Sequence, residues 1–425
     1  MKPIIKSASA PKFTLFTPTH NPKYLQRLEK SLANQTFQDF EWLIVVNGIN
    51  TNVQEVKDLI KIKQARIIPY GGQTTNIGEI KLYSCQQAKG DILVEMDHDD
   101  ELTPDCLAEL FEAYLDDSID FVYSNFIEVS PDGKPNMYGA QNGWRYRPFH
   151  WNGMMYQECL GFPPDPTSFS KIWYGPNHVR TWRRSFYNKI GGHDPSLKIL
   201  DDQDLFSRTY IHGKVKHLEK CLYVYYYHEN NSHQGDLNEF IQTETLNIHD
   251  KYIYELVEKW CDINGLRKID LCGGINPAPG YESIDAYGGD IIANLDERWP
   301  FEDGEVGVFR AHDALEHLKN PIHTMSEAYR CLCPKGWFLT LTPSTDGRGA
   351  FQDPTHVSFW NSNSFWYYTK QETSKFIRNE NLFCMSRVKN FYPSKFQRTH
   401  EIVYVKADMF KPDDRSPGWP GNSFH

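Results

Sequence analysis

Asp97-His98-Asp99-Asp100 follows directly on the apolar run Ile92 to Met96, so these carboxylates stand at the end of a strand. In open parallel sheets ligands collect outside the carboxyl ends of strands. Two aspartates one residue apart there offer hard oxygen donors to Mg²⁺ or Mn²⁺. A metal so held can bridge a diphosphate and offset the charge on a departing nucleoside diphosphate. The competing role for Asp99 or Asp100 is to cap the next helix. A second acidic run, Asp201-Asp202-Gln203-Asp204, comes after Gly191-Gly192-His193-Asp194 and reads on its own as an acid-rich helix N-terminus. Between the two, Asn177 to Arg184 mixes cations with an aromatic. Arg180 can clasp phosphate oxygens and Trp182 can stack on a sugar, with structural roles equally open to both.

The elements that must position these residues are short apolar runs alternating with helical patterns, the signature of a parallel α/β sheet. Strands are expected at Phe13 to Phe16, Trp42 to Val46, Ala65 to Pro69 and Ile92 to Met96. Helices are expected through Leu25, Leu28 and Leu32, through Val56, Leu59 and Ile60, and over Ile77 to Ala88. Thr103-Pro104 opens another. Regular patterning lapses from Pro131 to Pro176, as in a functional loop. Asp236 and Glu239 form a capping-box pattern. The helix they begin carries Ile241, Leu246, Ile248, Tyr252, Leu256 and Trp260 on one face and stops near Asn264-Gly265. A second alternation follows, with strands at Lys268 to Leu271, Glu282 to Ile284, Val306 to Arg310 and Trp337 to Thr342. The expected division is a first domain over 1–235, a linking helix over 236–265, a smaller domain over 266–410 and a loosely ordered tail over 411–425.

The 425 residues are 40% hydrophobic and 24% charged, with a formal charge of -10. An acidic balance without a basic run repels polyphosphates, so no nucleic-acid partner is expected. No apolar stretch reaches the ~18 residues that span a bilayer, and the polar Met1 to Pro11 is no secretory signal. Nine cysteines lack a Cys-x-x-Cys pair and read as reduced thiols of a cytoplasmic protein.

Several motifs occur in order: Thr17-Pro18-Thr19-His20-Asn21, Asn34-Gln35-Thr36, Val45-Val46-Asn47-Gly48, Lys89-Gly90-Asp91 and Asp97-His98-Asp99. This series, through about Tyr254, resembles family 2 glycosyltransferases of the GT-A fold. The resemblance implies that Asp97 and Asp99 bind metal and diphosphate. It puts Thr17 and Thr19 in the first nucleotide-contacting loop, and Asn47 where an aspartate usually meets base or ribose. That substitution leaves the nucleobase open. Asn76, Gly78 and Lys81 fall in a segment that commonly contributes to the donor site. Asp202 stands at the position of the catalytic base, which takes a proton from the acceptor hydroxyl as it attacks the anomeric carbon with inversion. His228 lies where some relatives place a further metal ligand, a structural histidine being the alternative.

Ile269-Asp270-Leu271-Cys272-Gly273-Gly274, Asp285, Asn294-Leu295-Asp296, Leu315-Glu316-His317 and Asp353-Pro354-Thr355-His356-Val357 resemble class I S-adenosylmethionine-dependent methyltransferases over about 266 to 408. The resemblance implies a smaller Rossmann-like domain binding S-adenosylmethionine through Asp270, Gly273, Gly274, Asp285 and Asp296. His317 and His356 are open to hydroxyl deprotonation or to helix packing and turn capping. Parallel neighbours need a crossover of a dozen or more residues. Asn276 to Gly280 leaves little room for a helix, so the first cofactor-binding helix is expected to be short or missing.

Together these readings imply a metal-dependent, inverting hexosyltransferase-type enzyme, with a nucleoside-diphosphate sugar as donor and a glycan hydroxyl as acceptor. O-methylation by the second domain would make it bifunctional. The alternatives are a glycan methyltransferase with a non-catalytic sugar-binding first domain, a glycosyltransferase with a degenerate second domain, and a carbohydrate-binding scaffold.

Overall fold

The computed structural model describes residues 10–48, 51–72, 76–132, 137–139, 143–172, 175–227 and 237–413. They form two compact units, the first running to Tyr252 and the second from Ile253, so the division falls inside the helix Leu237–Asn264. That helix ends where Gly265 adopts a φ of +62°, a left-handed turn that favours glycine.

In the first unit β1 (Phe13–Thr19) and β2 (Phe40–Val46) are buried almost throughout, as strands covered on both faces must be. They are followed by β3 (Ala65–Pro69), β4 (Ile92–Glu95), β5 (Glu101–Leu102), β6 (Phe121–Val129), β7 (Tyr146–Trp151), β8 (Met154–Cys159), β9 (Arg180–Arg183) and β10 (Val215–Tyr226). The sheet order is β3-β2-β1-β4-β9-β6-β10-β5, with the hairpin β7–β8 attached to β6. Because β1 is parallel to both β2 and β4, the strand order reverses between β1 and β4. The crevice beyond their carboxyl ends is therefore the place for a ligand.

Two segments differ from the expectation. The stretch Arg180–Arg183 is strand β9, antiparallel to both β4 and β6 in the middle of the sheet. Within the unpatterned 131–176 lies a regular hairpin, with Trp151 paired to Met154 across Asn152-Gly153. Both turn residues have positive φ, 46° and 77°, the backbone that Asn-Gly favours in two-residue hairpins.

The second unit contains β11 (Arg267–Leu271), β12 (Glu282–Asp285), β13 (Ile291–Ile292), β14 (Val306–His312), β15 (Leu332–Pro343), β16 (Cys384–Phe391) and β17 (Tyr404–Phe410). Their order is β13-β12-β11-β14-β15-β17-β16, parallel from β13 to β15, with β17 antiparallel to both neighbours. Ile269, Leu271, Phe309, Phe338 and Trp360 belong to its apolar core. The strand order reverses between β11 and β14. As the crowded Asn276 to Gly280 suggested, the connection from β11 to β12 contains turns and no helix.

Candidate active site

Strand β4 ends at Glu95, inside the core of the first unit and two residues before Asp97. Glu95 is 1% exposed. Its carboxylate lies 2.5 Å from Lys81 Nζ, 3.7 Å from an Arg180 guanidinium nitrogen and 3.9 Å from His178 Nε2. Burial alone would push this carboxyl up, but Lys81, Arg180 and His178 hold it well below the usual carboxylate range. Lys81 is carried by the helix Ile77–Gln87, whose first turn is capped by the Asn76 side chain accepting from Gly78 and Glu79 N–H.

The same side chains border both acidic clusters. Arg180 reaches Asp202 Oδ2 at 3.2 Å, and His178 Nε2 lies 3.7 Å from Asp97 Oδ2. Burial works against the Lys81 ammonium, yet Glu95, Asp201, Asp202 and Asp97 together raise its proton affinity. Asp97 and Asp202, more than a hundred positions apart in the chain, thus border one buried group made of Lys81, Arg180 and His178.

Asp202 and Asp201 open the helix Asp201–His212, where acidic residues suit the positive end of the helix dipole. Their environments differ sharply. Asp202 keeps 22% of its side chain exposed, whereas Asp201 is buried. Burial pushes the Asp201 carboxyl up to about 7, with Lys81 opposing and Asp202 and Glu95 reinforcing the rise. The close approach of the two helices depends on Gly78, because a Cβ there would sit 2.8 Å from Asp201 Cβ. Asp204 is structural, held by Arg208, Lys251 and Tyr252.

The turn after β4 is pinned from behind. Asp100 accepts from Tyr223 Oη–H at 2.7 Å and from Tyr226 N–H at 2.8 Å, and Arg27 donates to the Asp99 carbonyl. Asp97, with 40% of its side chain exposed, and the half-buried Asp99 are left at the open end of the strand. Two carboxylates of this kind suit a hard divalent cation. His228, expected as a further ligand, lies outside the described residues, as do Asp236 and the tail from 414 onwards.

The expected donor contacts need correction at three positions. The Thr17 hydroxyl is fully buried and accepts from the Trp42 indole N–H at 3.0 Å. Thr19 is fully buried and donates to the Asn21 carbonyl. Trp182 has no exposed surface; its ring is parallel to Phe206 within 3° and its Nε1–H donates to Thr209 Oγ1, so it packs the core and cannot meet a sugar. Asn47 is different: its backbone N–H bonds to the Thr19 carbonyl, while its buried Oδ1 has no partner. Glu95 and His178 escaped sequence reasoning. The signal for Glu95 was a lone acid inside the apolar strand Ile92 to Met96, which is intolerable without buried cations.

In the second unit, Gly273, Gly274 and Asp285 gather at the carboxyl ends of β11 and β12. Gly274 has a φ of +55°, and a Cβ added there would find its nearest neighbour, Asp285 Oδ2, 4.0 Å away. Ile275, Tyr287 and Ile292 are 82%, 98% and 72% exposed in the segments that follow β11, β12 and around β13. Room above the glycine turn and exposed apolar side chains are features a nucleoside ring can use. Asp270 and Asp296, by contrast, are occupied. Asp270 takes both Arg310 Nη1 contacts, at 2.9 and 3.0 Å, together with Ala278 N–H; Asp296 accepts from Lys319 N–H.

Two segments of the chain match family models. Residues 14–190 match the family model "Glycosyl transferase family 2", and residues 284–340 match "Methyltransferase domain". Chondroitin synthase of Pasteurella multocida (strain Pm70) and hyaluronan synthase of Pasteurella multocida are each 25% identical over 224 residues, 52% of this chain and 21% of theirs. The chain therefore spans about a fifth of the length of those synthases. Glycosyltransferase GlyG of Streptococcus pneumoniae serotype 4 (strain ATCC BAA-334 / TIGR4) is 19% identical over 257 residues, covering 60% of this chain and 83% of that protein. Among solved structures, S. aureus TarS 1-349 in complex with UDP-GlcNAc aligns with a TM-score of 0.43 at 18% identity, over 59% of this chain and 73% of that one. No helix among the described residues is long and apolar enough to cross a membrane. The chain thus carries a family 2 glycosyltransferase segment at 14–190, followed by a methyltransferase-type segment at 284–340.

Proposed function

We propose that the first unit transfers a sugar from a nucleoside diphosphate to a glycan hydroxyl, with a divalent cation at Asp97 and Asp99 and with Asp202 as general base. The observation that carries this reading is the shared buried group of Lys81, Arg180 and His178, which Asp97 and Asp202 both border. Bound Mn²⁺ or Mg²⁺ would neutralise diphosphate charge. Arg180, fixed between Glu95 and Asp202, orients the Asp202 carboxylate, and the exposed part of Asp202 accepts the acceptor's proton. The unpartnered Asn47 Oδ1 offers an acceptor to a nucleobase or ribose donor. Buried Asp201 is unsuited to meeting an acceptor, since its Cβ lies under Gly78.

Two variants test the assignment. Asp202→Asn is expected to lower kcat by at least ~100-fold with donor affinity unchanged, as loss of a general base does. Asp99→Ala is expected to weaken Mn²⁺-dependent donor binding. Near-normal transfer by Asp202→Asn would refute the base assignment.

For the second unit we propose S-adenosylmethionine binding over Gly273 and Gly274, with Asp285 at the ribose, and O-methylation of a glycan. The helix-free connection after β11 and the engagement of Asp270 and Asp296 favour a second reading, a degenerate domain without cofactor. Calorimetry with S-adenosylmethionine on the full chain separates the two: saturable binding lost in Gly274→Val supports methylation, and no heat supports degeneracy.

A further inference from the structure

Glu316, His317 and His356 meet at the end of β14 in the second unit. One carboxylate oxygen and one ring nitrogen from each histidine lie within 4.8 Å of one another. The Glu316 side chain is 1% exposed. Its Oε2 accepts from Thr342 Oγ1–H at 2.7 Å, and its Oε1 is buried with no hydrogen-bond partner. An orphaned carboxylate oxygen away from water costs free energy unless a cation or donor meets it.

The two histidines are arranged as metal-ligating histidines are. Nδ1 of His356 faces the Ala350 carbonyl at 3.1 Å, and Nδ1 of His317 faces the Thr355 carbonyl at 3.3 Å. A carbonyl can only accept, and the Thr355 hydroxyl, also 3.3 Å from His317 Nδ1, donates its hydrogen to Asp353, so the tautomer that satisfies these contacts has Nδ1–H and leaves each Nε2 with a lone pair. Backbone carbonyls behind the ring are a recurrent way of fixing the tautomer and orientation of a ligating imidazole. The rings themselves stand 5.1 Å apart at 73°, edge towards face. The loop carrying His356 is fastened to the Glu316 turn by Val357 N–H and Ser358 N–H donating to the Glu316 carbonyl, and by Ser358 Oγ–H donating to the Leu315 carbonyl. The three groups are thereby held together by structure that does not involve a ligand.

We propose that Glu316, His317 and His356 form a binding site for one divalent transition metal of the Zn²⁺ class. Two imidazoles and one carboxylate favour such an ion over Mg²⁺ or Ca²⁺, which prefer all-oxygen sets. Three protein ligands leave a coordination position for an oxygen of water or of a sugar hydroxyl. Both histidines are half-exposed, so that position opens towards solvent. The proposal rests on neither the transfer reaction nor S-adenosylmethionine binding.

The test is titration of chelator-treated full-length protein with Co²⁺, read by visible absorption. A low-coordinate site with two imidazoles absorbs far more strongly than an octahedral all-oxygen site, which separates it from any Co²⁺ held at Asp97 and Asp99. The expected result is a saturable band that Zn²⁺ abolishes, and a melting transition that saturating Zn²⁺ raises. His356→Asn keeps an amide donor near the Nδ1 position for the Ala350 carbonyl but removes the ligating Nε2, and should lose the band. Thr342→Val removes only the hydrogen bond behind Glu316, and should weaken Co²⁺ binding by about 10–100-fold. Absence of a saturable band in the folded wild type, or a band of equal affinity in both variants, would overturn the proposal.

Discussion

Replacing Glu95 by glutamine keeps the shape of the side chain and removes the charge that two buried cations share. In the native protein its carboxylate sits 2.5 Å from Lys81 Nζ and 3.7 Å from Arg180, whose side chains are only 12% and 6% exposed. Breaking a buried pair by neutralising one partner costs roughly 3–5 kcal/mol, because the other charge stays buried and uncompensated. Asp202 would still neutralise Arg180, so the lower end of that range, about 3 kcal/mol, is the expected loss. For a unit of this size each kcal/mol moves the melting temperature by about 2–4 °C, giving a fall of roughly 6–12 °C in the first unit's transition at pH 7. Differential scanning calorimetry measures it. The double variant Glu95→Gln/Lys81→Met completes a thermodynamic cycle, and its stability should recover towards wild type, since the unpaired ammonium is gone. A Glu95→Gln protein melting within 2 °C of wild type, or a double variant whose losses simply add, would refute the account of Glu95 as the shared counter-ion.

Trp182→Phe should cost about 1–3 kcal/mol through lost volume and the lost bond to Thr209, while donor affinity in calorimetry stays within about twofold; a selective loss of donor binding would restore the sugar-stacking role. Gly78→Ala drives a methyl to 2.8 Å from Asp201 Cβ, and should lower stability by about 1–3 kcal/mol in denaturant titration and reduce transfer by displacing the adjacent Asp202. His312 is held at about 3 by burial, with Arg310 and Lys406 adding to the fall. The unfolded chain therefore binds a proton that the folded one refuses, so its contribution is full above about pH 6.5 and is lost as pH falls from there towards 3. Melting curves between pH 7 and pH 4.5 should fall less steeply for His312→Gln than for wild type, and parallel slopes would contradict the assignment.

The first four strands were legible because each is an apolar run bounded by turn residues. Ala65–Pro69 matches residue for residue, and Phe13, Val46 and Ile92 mark true strand ends. Strand β9 was not legible. Arg180 and Arg183 carry charges that composition assigns to a surface, and the groups that make a cationic central strand tolerable are distant in sequence: Glu95 and Asp202 for Arg180, Asp117 and the Ile119 carbonyl for Arg183. The hairpin at Asn152-Gly153 carried a readable turn signal, hidden because β7 combines a proline with exposed Arg147 and His150 and lacks an apolar run. Within the site, motif order pointed to Asp97 and Asp202, which border one buried group of Lys81, Arg180 and His178. It could not reveal that the hydroxyls of Thr17 and Thr19 are turned inward, because hydrogen-bond direction depends on Trp42 and Asn21 rather than on the motif. Among the glycine-turn residues of the second unit, Asp270 reads identically whether it faces a ligand or an arginine, and Arg310 forty positions later decides the matter.

The connection from β11 to β12 runs through turns alone, and this limits what the crevice above it can recognise. Where a helix begins immediately after the first strand, its unpaired amides and axial dipole supply a partial positive charge that grips phosphate. Here that electrostatic attraction is missing, so a dinucleotide would find nothing to hold its pyrophosphate. An occupant that rests its ring on the exposed Ile275, Tyr287 or Ile292 would be held by apolar burial and hydrogen bonds, forces on which added salt has little purchase. Its affinity should accordingly be almost indifferent to ionic strength.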